Sequence, residues 1–406
     1  MRSAYGFRVP EISPELTRVG PGTPAGELLR RYWHPICLSA ELADLPKRVR
    51  ILGEDLVAFR DGQGRAGVLF FRCAHRGTSL EYGRVEEQGL RCCYHGWLYD
   101  VEGNVLDMPL EPPTSTYKSR VQQPGYPTHE FAGLVFVYMG PPEQIPPFPV
   151  LDVVNSWSAA QGTIKATMGI RTGGAYNCNW LQAQENLMDP LHLTWLHTAH
   201  SGPQFPSELY GAWPSEVVYE ETEMGMKFTL VAPLPDGRRE WRLTWELHMP
   251  MTTALLYSES PPLDEGTEAV VDRTRNIFFC VPVDDTHHLG AQVRWYPEGR
   301  SDYGRGALAP ANRPDTSYEY TQRHPDDKEA QEGQGEIANH GLEHLATSDR
   351  GVIMCRRILR EAIRAIEAGN DPKGIIRDPL KARNIPTTAG SVVTYRAQAV
   401  PSATSG

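Results

Sequence analysis

Short alternating runs dominate the first third of the chain. Val49-Arg50-Ile51-Leu52, Leu56-Val57-Ala58-Phe59-Arg60 and Ala66-Gly67-Val68-Leu69-Phe70-Phe71 are too short and too β-branched for helices, and read as strands. Asp61-Gly62-Gln63-Gly64, between the last two, is a hairpin signal. Ahead of them, the turn residues Gly20-Pro21-Gly22-Thr23-Pro24 lead into a short helical pattern from Ala25 to Trp33. More strand-like pieces follow at Leu90-Arg91, at Trp97 to Asp100 and in the apolar run Leu134 to Met139. Many short strands predict an all-β domain.

Gly140-Pro141-Pro142, then Pro146-Pro147-Phe148-Pro149, is the strongest punctuation in the chain and sets a boundary near residue 150. The expected domains are therefore 1–150 and 151–406. The second begins with strand-like residues near Gly162 to Gly173 and a helix from about Cys178. A long β-rich span then covers Val217-Val218-Tyr219, Met226 to Val231, Trp241 to Trp245, Thr253 to Tyr257, Asn276 to Val281 and Gln292 to Trp295. Ser301 to Asp327 is polar and proline-containing and reads as loop. A final helix is predicted from about Asp349 to Ala368, with Val352, Leu359, Ile363 and Ile366 on one face. The Ser/Thr/Ala-rich tail from Thr387 is expected to fray. The class is α+β.

Composition removes several kinds of protein. With 406 residues there is room for two domains and a large core, more than a small electron carrier needs. A net charge of −10 disfavours nucleic acid and anionic membranes as partners. No run approaches the ~18 consecutive apolar residues of a membrane span, and the first residues lack the apolar core of a secretion signal, so the expected location is the cytoplasm. Seven cysteines, an odd number, do not make a disulfide framework.

The cysteines matter for another reason. Cys73-Ala74-His75 and, after sixteen intervening residues, Cys92-Cys93-Tyr94-His95 set two thiolates and two imidazoles on two loops. A Cys2His2 zinc site and a [2Fe-2S] cluster with two His ligands both use this donor set. Zinc fingers pair like ligands in sequence, whereas here each loop carries one of each. That alternation suits a binuclear cluster, because each loop can give a thiolate to one iron and an imidazole to the other. Either Cys92 or Cys93 could serve; the remaining cysteines read as ordinary buried thiols.

A second constellation lies in Glu185-Asn186-Leu187-Met188-Asp189-Pro190-Leu191-His192-Leu193-Thr194-Trp195-Leu196-His197. Asp189 and His192 share a helix face, but His197 stands about 140° from His192 on an ideal helix. For both imidazoles to reach one metal the helix must be distorted. A π-type bulge is the expected irregularity.

His75-Arg76-Gly77 with Tyr94-His95-Gly96-Trp97 resembles the Rieske iron-sulfur motif, C-x-H-R-G followed by C-x2-H-G-W, although Ala74 and Cys93 stand where the family commonly has proline. Asp189 to His197, as D-x2-H-x4-H inside E-N-x-x-D-P-x-H, resembles the iron-binding signature of Rieske non-haem iron oxygenases, and the similarity runs nearly the full length. Thr17 to Pro24, Val281 to His287, Glu343-His344-Leu345, Ser348 to Val352 and Arg356 to Leu359 resemble the phthalate dioxygenase branch, whose members act on aromatic acids.

The resemblance implies an all-β Rieske [2Fe-2S] domain followed by an α+β helix-grip catalytic domain with an antiparallel sheet. It implies Cys73, His75, Cys92 and His95 as cluster ligands, and a mononuclear Fe(II) held by His192 and His197. The third ligand it implies is Asp349, with Glu343 as runner-up; Fe(II) that binds dioxygen wants such a 2-His-1-carboxylate face. Asp189 would bridge His192 to His95 of a neighbouring subunit in a homotrimeric ring. The implied function is that of a terminal oxygenase acting on an aromatic substrate, an aromatic acid or a methoxylated one, with O2 and electrons from a separate NAD(P)H-dependent reductase. An electron-transfer protein without catalysis and a zinc-bound scaffold are the alternatives. An aromatic acid would want a pocket arginine, and Arg171, Arg273, Arg275 and Arg294 lie on or beside predicted strands.

Overall fold

The computed structural model describes residues 6–10, 12–169, 174–205, 208–255, 269–299 and 317–395. The first helix is Pro24–Leu29, with Pro24 at its start and the Thr23 hydroxyl accepting from Gly26 N–H. It stops short of the expected Trp33. Pro35 pushes the residue before it into extended backbone, and Trp33–Leu38 is a strand. That strand joins Leu134–Tyr138 and Thr128–Phe131 in a three-stranded antiparallel sheet. Leu134–Tyr138 is buried throughout, which explains its unbroken apolar run.

Two four-stranded antiparallel sheets complete the β domain. One orders Lys47–Ile51, Glu54–Arg60, Ala66–Phe70 and Gly125–Tyr126; the other orders Arg84–Glu86, Gly89–Arg91, Leu98–Tyr99 and Val105–Asp107. The hairpin at Asp61 is closed by its own carboxylate, which accepts from Gln63 and Arg65 N–H at 3.1 and 2.8 Å. A small core of its own, including Phe59, Leu69, Leu90, Trp97 and Tyr99, fills the space between these two sheets.

Beyond the Pro146–Pro149 linker lies a nine-stranded antiparallel sheet. Its order is Gly162–Met168, His287–Pro297, Asn276–Asp284, Thr252–Leu255, Arg239–His248, Gly225–Pro233 and Glu216–Glu221. Gly390–Tyr395 pairs with both Arg239–His248 and Ala269–Arg273, so the tail does not fray where expected. Its Ser and Thr side chains satisfy buried groups: Thr387 Oγ1 donates to Glu246 at 2.8 Å, and Ser391 Oγ accepts from Trp241 Nε1–H at 2.7 Å. Residues 396–406 lie outside the described range. The predicted loop 301–327 is also corrected in part. Residues 300–316 are outside the description, but Tyr318–Arg323 and Asp327–Glu332 are helices, started by Ser317 and by an Asp326/Glu329 capping box.

Two helices grip this sheet. Trp180–Leu187 buries Trp180, Leu181 and Ala183, and Arg350–Glu367 buries Val352, Cys355, Ile358, Leu359 and Ile363. They are joined by an ion cluster in which Arg356 donates to Glu185 at 2.6 and 2.8 Å and to Glu343. Gly351 lets the second helix approach closely, since an added Cβ would stand 2.2 Å from Met188 O. Part of the leading segment packs on this second unit, with Glu15 pairing to Arg360 at 3.1 Å and Arg18 to Asp285 at 2.8 Å. Among the described residues no helix is long and apolar enough to cross a membrane.

The Arg356 side chain is 8% exposed, so removing it strands the buried Glu185 carboxylate. Arg356→Met is expected to cost ~3–5 kcal/mol in urea unfolding at neutral pH. Burial pushes Glu343 up, yet the hydrogen bond and charge of Arg356 outweigh it and hold that carboxyl below its ordinary value. Its stabilising share is therefore present above the unfolded carboxyl pKa and is lost as pH falls through the depressed folded value. The acid limb of the stability curve should be shallower in Arg356→Met than in the parent protein.

Candidate metal centres

The two cysteine loops share a backbone design. Cys73 N–H bonds Thr78 O at 2.9 Å and Gly77 N–H bonds Cys73 O at 2.8 Å; Cys92 N–H bonds Trp97 O at 2.8 Å and Gly96 N–H bonds Cys92 O at 3.1 Å. Gly77 and Gly96 close the turns at φ 76 and 75, a conformation that L side chains resist. Matched this way, Cys92 is the counterpart of Cys73. Both are buried, while Cys93 is exposed, which corrects the expectation that every other thiol is buried.

The four side chains converge. The rings of His75 and His95 stand 4.5 Å apart, and His75 stacks on Trp97 at 4.5 Å. The mutual hydrogen bond of Cys73 and Cys92 lowers the Cys92 thiol pKa and raises that of Cys73. Tyr99 OH lies 3.0 Å from Cys73 Sγ. His75 Nδ1 is buried with no hydrogen-bond partner among the described residues, as befits a nitrogen kept for a metal. This donor set fits the cluster.

Side chains outside the motif hold the loops in place. Gln123, fully buried, accepts from Ala74 N–H at 2.6 Å and donates to Phe70 O and Arg72 O. Arg91 spans Glu86 and Asp107 and donates to Gly96 O. Neither has a local sequence signature, because each acts on chain distant in sequence or turned back by folding.

In the second centre, Leu191–Thr194 is α-helical and Trp195–His200 is π-helical, the irregularity expected from the spacing. Ser201 N–H reaches back five residues to Leu196 O. Bonds of this reach bring residues five apart toward one face. The rings of His192 and His197 stand 5.2 Å apart.

The carboxylate that meets them is Asp327. Its Oδ1 lies 3.1 Å from His197 Nε2 and 3.5 Å from His192 Nε2, and the three ligand atoms fall within 4.8 Å of one another. Neighbouring ligands of one ion with bonds near ~2.1 Å are spaced roughly 3 Å apart. This donor set fits the 2-His-1-carboxylate face of Fe(II).

Asp349 is not brought to the two rings. Its Oδ2 accepts from Ala346 N–H at 2.6 Å, closing the turn at the start of Arg350–Glu367. Glu343, the runner-up, is held by Arg356. Asp327 falls in the stretch whose polarity reads as loop, where the Asp326-x-x-Glu329 capping box is the local helix signal.

Each imidazole is oriented by its far nitrogen. His192 Nδ1 bonds Asp189 O, and His197 Nδ1 bonds Gln204 Oε1 at 2.6 Å, so both Nε2 atoms face Asp327. Burial works to lower His192, but Asp327 and Asp189 outweigh it and raise its pKa. Asn186 Nδ2 donates to Asp327 at 3.2 Å. Ser201 and Gln204 both donate to Pro325 O, tying the end of the π-helix to the Asp326-Asp327 turn. The Asp189 side chain accepts from Leu191 N–H at 3.0 Å, just ahead of the helix; its main-chain oxygen, not its carboxylate, orients His192. Asp189 and His192 line an open concavity that also includes Asp349 and Glu343.

His192, His197 and Asp327 sit at a chamber walled by Phe205, Trp245 and Phe278. His288 lines it as well, its Nδ1–H donated to Cys178 O at 2.9 Å. Burial lowers the His288 pKa to about 4, so its ring is neutral at neutral pH. Arg273, Arg275 and Arg294 are engaged elsewhere: Arg273 with Asp152, Arg275 with Asp272, and Arg294 over the Tyr296 ring. Arg171 lies outside the described residues.

A two-loop Cys/His site in an all-β domain, with a 2-His-1-carboxylate site above an antiparallel sheet, defines an iron-dependent oxygenase with two metal centres. Comparisons with known proteins agree. Residues 32–118 match the Rieske [2Fe-2S] domain family. Phenoxybenzoate dioxygenase subunit alpha of Ectopseudomonas oleovorans is 40% identical over 389 residues, covering 92% of this chain and 90% of its own. The tert-butanol monooxygenase / tert-amyl alcohol desaturase oxygenase subunit of Aquincola tertiaricarbonis is 40% identical, covering 92% and 81%. The 5,5'-dehydrodivanillate O-demethylase oxygenase subunit of Sphingobium sp. is 33% identical, covering 93% and 85%. Among solved structures, the Pseudomonas putida CBB5 NdmA QL mutant with theobromine shares the fold, with a TM-score of 0.61 at 20% identity over 93% of this chain and 100% of that one. The chain belongs to the Rieske non-haem iron oxygenases, as a large subunit of the phthalate dioxygenase type, and its cofactors are a [2Fe-2S] cluster and a catalytic non-haem iron.

Metal content distinguishes the two carboxylates. Asp327→Asn is expected to lower iron from about three to about two per chain while keeping the cluster's visible absorption. Asp349→Asn should keep all of it. Gln204→Leu should weaken mononuclear iron binding by roughly 10- to 100-fold without touching the cluster. Iron and acid-labile sulfide assays, read beside the spectrum, check all three.

Proposed function

We propose that the chain is the terminal oxygenase of a multicomponent system, inserting O2-derived oxygen into an aromatic substrate with electrons delivered by a separate NAD(P)H-dependent reductase. The observation that carries this reading is the meeting of His192, His197 and Asp327 at an aromatic-walled chamber. In the proposal these three hold the iron, and Cys73, His75, Cys92 and His95 hold the cluster. The iron supplies dioxygen activation and the cluster supplies electrons.

The chain's own residues do the rest. Asp189 O and Gln204 Oε1 keep a proton on each Nδ1, which leaves each Nε2 lone pair for the metal. Phe205, Trp245 and Phe278 hold an aromatic ring by apolar contact and exclude water. His288, neutral and with Nδ1 committed, turns an accepting nitrogen toward a substrate hydroxyl or protonated acid. The names of the relatives support an aromatic acid or methoxylated aromatic substrate, and the tert-butanol relative extends the range to a small alcohol.

We place the Asp189 carboxylate on the electron route, at a face where a neighbouring subunit's His95 docks in a head-to-tail ring of three. The open concavity beside Asp189 and His192 supports this, as does the partial exposure of His95 at its loop tip. Asp189→Asn is expected to keep the cluster's colour and the mononuclear iron while slowing single-turnover cluster oxidation with substrate and O2 by a hundredfold or more, on the order of the loss of a positioned proton or hydrogen-bond partner. Unchanged oxidation would remove Asp189 from the route. Incubating the enzyme, a reductase and NADH with methoxylated and unmethoxylated aromatic acids tests the reaction: a diol marks dihydroxylation, and a phenol with formaldehyde marks O-demethylation. No oxygenated product from any of them would refute the proposed substrate class.

A further inference from the structure

Side chains alternate between the two faces of a strand, and Asn276–Asp284 separates two cavities. Phe278 lines the metal chamber, whereas Ile277 and Phe279 line a second cavity on the other side of the sheet. The first domain and the linker form its far wall. There Phe148 packs against Phe136 at 4.9 Å and Phe131 at 5.2 Å, and Phe136 meets Phe279 edge-on at 5.6 Å.

One imidazole is buried in this apolar, aromatic surround. His248 is 4% exposed and lines the cavity, and neither ring nitrogen has a hydrogen-bond partner among the described residues. Its Nε2 lies 3.9 Å from Glu246 Oε1, too far for a hydrogen bond, and the other oxygen of that carboxylate accepts from Thr387 and Thr388. Burial lowers the His248 pKa, leaving a neutral ring with one donor and one acceptor. A buried polar group without a partner is destabilising, and a partner from outside the chain would remove that cost.

We propose that this cavity is a small-molecule site separate from the metal chamber, and that it takes an uncharged flat aromatic molecule whose single hydroxyl bonds His248. A hydroxyl both donates and accepts, so it suits either tautomer of the ring. The Phe walls favour a flat ring, and Glu246 beside His248 selects against a carboxylate. The proposal stands apart from the reaction at the metal chamber and does not depend on it.

The probe is 4-bromophenol, added to crystals of the metal-loaded full chain and located by bromine anomalous scattering, with calorimetry in solution alongside. The expected result is bromine between Phe148 and Met251, the phenol oxygen within hydrogen-bond distance of His248, and saturable binding in solution. His248→Phe, similar in shape but without the nitrogens, should weaken that binding tenfold or more with metal content unchanged. If this variant fails to fold, Ile376→Trp, which fills the cavity from its rim, should abolish binding instead. Water alone on His248, bromine only in the metal chamber, binding at crystal concentration only, or binding indifferent to the variant that folds would each overturn the proposal.

Discussion

Two imidazoles five residues apart can face one point only where the helix between them is wound with five-residue hydrogen bonds. The chain meets that condition at Trp195–His200, and much of the catalytic unit is arranged to keep it. A π-helical turn is a less favourable winding than the α-helix and persists only when surrounding contacts hold it. Here those contacts are polar and lie at both ends. The Asp189 carboxylate bonds Leu191 N–H at the start of the α-helical turn that leads into it, and Ser201 and Gln204 anchor its end to Pro325. The same anchor presents Asp327 to the two rings. One set of hydrogen bonds therefore fixes the helix distortion, the imidazole tautomers and the position of the carboxylate together.

The cluster loops solve a related problem by repetition. Each uses a glycine with positive φ four residues after its cysteine and the same pair of backbone hydrogen bonds. The histidine sits two residues after the cysteine in one loop and three in the other. Two nearly equivalent turns thus present their imidazoles differently while the thiols stay buried side by side. Gln123 and Arg91 then pin the loops from outside, which keeps ligand geometry from depending on the loops' own stiffness.

The large sheet ties the two units into one body. Its Asn276–Asp284 strand faces the metal chamber on one side and an aromatic cavity against the first domain on the other. The N-terminal segment belongs to the first domain by sequence order but packs on the catalytic unit through Glu15 and Arg18. The ion cluster of Glu185, Arg356 and Glu343 locks together the two helices that grip the sheet.

Local signals are sufficient where a structure is made by neighbours in sequence. The strand pattern, the Asp61 turn, the two cysteine loops, the pair of histidines and even the need for a π-type distortion all depend on spacings of a few residues, so the sequence by itself determined them. The third carboxylate could not be read this way. Asp327 lies 130 residues beyond His197, in a stretch whose polarity resembles loop, and Asp349 carries an equally plausible local context. Only the tertiary structure decided between them, because the choice depends on which turn the chain brings back against the π-helix. The same holds for Gln204, Gln123 and His248. Their roles come from what folding places against them, and a buried polar group shows its partner, or the want of one, only after the chain has closed around it.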